Sequence, residues 1–205
     1  MHPNPVFHTA SVAENLAFAR ARSFGILAVS AAEAAPMLSH VPFVLSEDGR
    51  VADLHLVRSN PIVRALKAPL AARLAISGPD SYVSPDWYGV DDQVPTWNYV
   101  AVHLTGVLEP RPQEELAALL DRLSDLFEER LLPKTPWRSA KMDAGALERM
   151  MRMIVPVRLR IEAVDGTWKL AQHKEAEVRL AAADGIEAAG IGVELAALVR
   201  LMRQV

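Results

Sequence analysis

The chain has 205 residues, 51% of them hydrophobic and 23% charged, enough to bury a sizeable core and too apolar for long disorder. Its 22 Lys and Arg against 25 Asp and Glu give a net charge of -3, which supplies no global attraction to nucleic acid or to an anionic membrane. Without cysteine there is no disulfide, no zinc-thiolate centre and no cysteine nucleophile, so redox chemistry would need a bound cofactor.

The first residues, MHPNPVFHTA, lack the basic stretch and apolar run of a signal peptide. No uncharged apolar run is long enough to cross a bilayer, so a cytoplasmic location is expected and no membrane partner. Ser11 and Glu14 form a capping-box pattern opening a helix with Val12, Leu16 and Ala19 on one face, which should end before Gly25. Residues 24–30, 36–45 and 51–57 are predicted strands, the last two joined by a hairpin at Asp48-Gly49.

Asn60 is a good N-cap and Pro61 a good first helical residue, so PIVRALK should be a short helix leaving the third strand. Residues 70–78 return as a strand, and the prolines and aromatics of 79–96 predict an ordered loop. Over 97–108 a long strand should turn Val100, Val102 and Leu104 one way and Tyr99, Ala101, His103 and Thr105 the other. After Pro112, Leu116, Leu119, Leu120, Leu123, Leu126 and Phe127 follow helical spacing, and a second helix is expected after Asp143.

Residues 155–164 alternate apolar and charged, and Asp165-Gly166 is predicted to turn that strand back into TWKLAQ. From about residue 174 two helices are expected, separated near 185–192, with Leu195, Leu198 and Leu201 on an apolar stripe. Six or seven strands joined by hairpins and short helices predict an α+β chain, mainly antiparallel β. A small closed or partly open barrel with peripheral and C-terminal helices, one domain over residues 1–205, is the expected architecture.

Arg58, Ser59 and Asn60 stand at a strand-to-helix turn, with Arg64 about one helical turn on, a pattern able to cradle a phosphate. Taken alone, this segment reads better as a capped helix with two solvated arginines. His40 and His55 lie on neighbouring predicted strands and could meet across the ladder, or be two partly buried histidines with separate partners. YVSPDWY (82–88) and PTWNYVAVH (95–103) concentrate rings and polar donors suited to a flat amphipathic ligand, or to a dimer contact. The histidines show no compact ligand spacing, so no metal is expected, and GIGVELA (190–196) lacks the glycines of a dinucleotide loop.

Taken together and in this order, HPNPVF (2–7), HLVRSNP (55–61), YVSPDWY, PTWNYVAVHLTG (95–106) and WKLAQHK (168–174) resemble the PaiB family of FMN-binding split-barrel proteins. That family is often labelled negative transcriptional regulators and is similar to the pyridoxamine phosphate oxidase-like flavoproteins. The resemblance implies an FMN-binding split β-barrel and a homodimer with flavin sites at the subunit interface. It implies a phosphate held by Arg58, Ser59, Asn60 and Arg64, and a ring running beside Ser39, His40 and His55. Thr96, Trp97, Asn98 and Tyr99, with Trp168 and Gln172, would complete the site from one subunit or the other. The chain departs from the family pattern at His2, Val57, Ser59, Ala171 and His173, which bears on ligand geometry more than on fold.

Two functions follow from the resemblance: a flavin-responsive regulator of transcription, or an FMN-dependent oxidoreductase using NAD(P)H on a small substrate. Haem handling, known in related split barrels, ranks third because no histidine is marked as an axial ligand. For DNA, the best basic patch is Lys134, Arg138 and Lys141 with RMMRM, although a solvated helix face explains it better.

Overall fold

The computed structural model describes residues 1–30 and 35–205. Seven strands run β1 (Phe24–Val29), β2 (Met37–Leu45), β3 (Val51–Val57), β4 (Leu70–Val83), β5 (Thr96–Pro110), β6 (Ile154–Lys169) and β7 (Gly192–Val193). Six helices accompany them: α1 (Val12–Arg22), α2 (Pro61–Ala65), α3 (Leu116–Glu128), α4 (Ala144–Met151), α5 (Ala176–Ala189) and α6 (Leu195–Gln204). The strand order is β1-β2-β3-β6-β5-β4-β7, and a further β1–β4 pairing closes the first six into a barrel. Contacts divide the chain into two compact units, one of residues 18–75 and 104–164 and the other of residues 1–17, 76–103 and 165–205.

The first unit holds β1, β2, β3 and parts of β4, β5 and β6. Alternation along each strand sends Leu27, Val29, Val41, Phe43, Leu54, Leu74, Leu104 and Leu159 inward, all 2% exposed or less. The hairpin between β2 and β3 turns where expected, with Gly49 at φ 70°. Helix α3 buries Leu116, Leu119 and Leu123. Leu120, Leu126 and Phe127 are only partly covered, and the regular helix ends at Glu128. Asp143 caps α4 as predicted, its carboxylate accepting from the Ala146 N–H at 2.8 Å.

Across the outer face of β3, Asp53 is 4% exposed and opposes Arg158 of β6 in the register. Arg158 grips it with two bonds of 2.6 and 2.9 Å, and Arg122 of α3 adds a third at 2.9 Å. Burial pushes the Asp53 carboxyl up, but the two arginines outweigh it and hold the group below its ordinary range.

The second unit packs α5 and α6 around Ala182, Ala183, Ile186, Leu198, Val199 and Met202. The capping box of α1 forms, the Ser11 N–H donating to Glu14 Oε2 at 2.7 Å and the Glu14 N–H to Ser11 Oγ at 3.2 Å. Val12, expected on the buried face of α1, is 57% exposed, and Asn15 takes the buried position instead.

Three other expectations are corrected here. Residues 79–83 are strand, because the C-terminal segment supplies a partner: Asp80 pairs with Val193, Ser81 with Gly192, and the Tyr82 N–H donates to the Ile191 carbonyl. A Cβ at Gly192 would lie 2.1 Å from the Asp80 carbonyl oxygen, so only glycine permits that approach. Gly185 does not end a helix but lies inside α5, where Trp87 packs against its bare Cα.

Asp165-Gly166 is no turn, for β6 runs straight through it. The glycine is required by packing: a Cβ there would sit 1.9 Å from Asn15 Oδ1, the acceptor of the Trp168 indole N–H at 2.8 Å. Gly166→Ala should therefore destabilise the fold by about 2 kcal/mol through overpacking. Denaturant unfolding checks this, and an unchanged midpoint would contradict it.

Candidate functional site

In the first unit, the turn from β3 into α2 holds four of the expected residues. Asn60 Oδ1 accepts from the Ile62 N–H at 2.9 Å, the predicted cap, while its amide donates to Ser39 Oγ at 3.2 Å and so pins the turn to β2. At five residues α2 carries little dipole, so an anion here must be held by side chains.

Arg58 donates from Nε to the Arg152 carbonyl at 2.9 Å and from Nη2 to Gln113 Oε1 and the Ile154 carbonyl. All three acceptors are neutral, so among the described residues its charge meets no carboxylate and Nη1 has no partner. Ser59 and Arg64 are exposed, and among the described residues neither side chain has a partner. The turn thus presents a rigidly held guanidinium, a hydroxyl and a second, unpaired guanidinium, a donor set for a phosphate monoester.

His40 and His55 do not face each other. The register pairing Phe43 with Leu54 and Val44 with Asp53, continued by one step, puts Pro42 opposite His55. His40 is exposed and stacks on Phe24 at 6.5 Å. His55 lies in a cleft of about 230 Å³ with Pro42, Leu120, Phe127 and Trp137. Burial pushes its imidazole down, and its Nδ1 has no partner among the described residues.

In the second unit, the β5 pleat separates the expected ring contacts. Trp97 is 47% exposed and Tyr99 partly covered on one face, Tyr82 meeting Trp97 edge-on at 6.4 Å. Thr96 and Asn98 point to the other, where Thr96 Oγ1 accepts from Lys169 and the Asn98 amide donates weakly to Met202 Sδ at 3.5 Å. Gln172 serves its own loop, accepting from the Leu170 N–H and donating to the Val6 and Trp168 carbonyls. The indole of Trp168 is likewise engaged with Asn15. These side chains hold the unit together, and Trp97 offers the accessible ring.

Two features went unread in the sequence. The Asp53–Arg158–Arg122 cluster needed the strand register. The second is a cavity of about 360 Å³ lined by Phe7, Tyr88, Lys169, His173 and Lys174, residues from separate segments. Lys169 and Lys174 in WKLAQHK gave a local signal, readable as part of a ring-binding surface or of a dimer contact, but not the cavity they help to line.

Residues 1–163 match the sequence family described as "Putative FMN-binding domain". The chain belongs to this family. It is 29% identical over 159 residues to the protease synthase and sporulation protein PAI 2 of Bacillus subtilis, covering 77% of this chain and 75% of that protein. Among solved structures it is similar to the FAD and heme binding protein from Mycobacterium smegmatis, with TM-score 0.60 and 17% identity over 90% of this chain and 80% of that one. The flavocytochrome Anf3 from Azotobacter vinelandii gives TM-score 0.55 and 13% identity over 82% of this chain and 72% of its own. These likenesses establish the split-barrel fold expected from the sequence.

Proposed function

We propose that the chain binds FMN with its phosphate at Arg58, Ser59 and Arg64, and acts as a flavin-responsive regulator, negative in sense. The observation that carries the flavin part is the pair of guanidiniums at the β3–α2 turn without a carboxylate partner among the described residues, in a member of an FMN-binding family. Bound FMN would supply one- or two-electron chemistry, the protein contributing orientation and electrostatics.

A homodimer accords with the outward residues of the barrel strands, where Phe24 is 52%, Leu38 61% and Val57 51% exposed. The regulatory part rests on the resemblance and on the name of the Bacillus relative. The basic groups expected to meet DNA are largely neutralised: Lys134 pairs with Glu128, Arg138 with Asp125 and Arg152 with Glu148. This favours regulation through a protein contact in the cytoplasm over direct DNA reading.

The alternative, an FMN-dependent oxidoreductase using NAD(P)H, draws support from the 360 Å³ cavity, which has room for a small substrate. NADH and NADPH oxidation by the FMN-loaded protein separates the two. The regulator reading expects no turnover beyond that of free FMN. Sustained turnover with a small acceptor would favour the enzyme.

A further inference from the structure

The cavity in the second unit combines aromatic walls with two lysines that, among the described residues, pair with no acid. Lys169 donates to Thr96 Oγ1 and to the Trp97 carbonyl at 2.8 Å, both neutral, and its ammonium stands 5.8 Å from the Phe7 ring. Lys174 donates to Gln93 Oε1 and lies over the Tyr88 ring at 4.5 Å. His173 packs edge-on against Phe7 at 5.4 Å, as does His2 at 4.7 Å. His2 Nδ1 accepts from the Asn4 N–H at 3.1 Å. The one carboxylate in the lining, Asp92, pairs with neither lysine.

Two ammonium groups held by neutral oxygens in an aromatic-walled hollow have no paired carboxylate among the described residues, and a bound anion would provide the direct partner. Burial pushes Lys169 down, and burial with the two lysine charges pushes His173 down. A ring-bearing ligand could also pack against Phe7 and Tyr88. Thr96 and Asn98, which the resemblance assigned to the flavin site, belong to the lining of this cavity, which lies on the face of β5 opposite exposed Trp97 and shares no residue with the Arg58 turn.

We infer that this cavity is a second binding site, separate from that for flavin, for a small organic anion: a carboxylate carried on a flat ring and received by Lys169 and Lys174. This reading stands whether the protein regulates or catalyses.

Benzoate and its neutral counterpart benzamide are suitable probes, titrated into the full chain while the imidazole NMR signals of His173 are followed. Benzoate should move them saturably and benzamide should not. Lys174→Gln should weaken benzoate at least tenfold with an unchanged thermal midpoint, and Lys169→Gln should do the same as a second variant. Equal responses to the two probes, or no response to either, would overturn the inference. So would displacement of benzoate by FMN, since the cavity would then be part of the flavin site. Flavin absorbance recorded in the same samples reports FMN uptake independently, so failure of one site is distinguishable from failure of the other.

Discussion

Replacing both Arg58 and Arg64 with alanine should weaken FMN binding about 100-fold, because each guanidinium–phosphate interaction contributes about 1.5 kcal/mol or more. The two residues differ in what else they do. Arg58 ties the turn to the Arg152 and Ile154 carbonyls and to Gln113, so its removal also loosens the local backbone. Arg64 is exposed and has no partner among the described residues, so Arg64→Ala alone should leave the thermal midpoint unchanged while lowering FMN affinity about tenfold. Isothermal titration with FMN and with riboflavin, which lacks the phosphate, checks this. The double variant should bind the two equally, and an undiminished preference for FMN would place the phosphate elsewhere.

Asp53→Asn should destabilise the barrel by about 3 kcal/mol at neutral pH, since it strips the charge from a buried carboxylate and leaves its arginines uncompensated. Most of this is owed to Arg158, whose side chain is 26% exposed; Arg122, at 52%, is screened by solvent and contributes less. The folded carboxyl titrates below its unfolded value, so its contribution is full above the ordinary Asp range and is lost as pH falls through the folded value. The stability gap between the native chain and Asp53→Asn should therefore be constant near neutrality and close below about pH 4. Urea midpoints at both pH values measure it, and a gap independent of pH would assign the loss to packing.

Much of the barrel was legible because period-two alternation reports directly which side of a strand is buried. Val100, Val102 and Leu104 face inward as read, and the Asp48-Gly49 hairpin turns where its dipeptide says. The same dipeptide at Asp165-Gly166 misled, because a glycine can be demanded by a neighbour's side chain as well as by a turn, and Asn15 lies about 150 positions away in sequence. The tail of β4 was hidden for a like reason: its partner, β7, comes from the far C-terminus.

At the candidate site, the Asn60 cap could be read locally, whereas its second bond to Ser39 could not. The pairing of His40 with His55 failed on register, which adjacency of strands does not specify. The cationic cavity draws on residues from both ends of the chain, and no local pattern gathers them.

The most direct test of flavin binding is a titration of FMN fluorescence with the purified chain. Saturable quenching with a Kd of about 1 μM or below, of the kind stacking on an aromatic ring produces, is the predicted result. FMN emission unchanged at protein concentrations tens of times higher would contradict it.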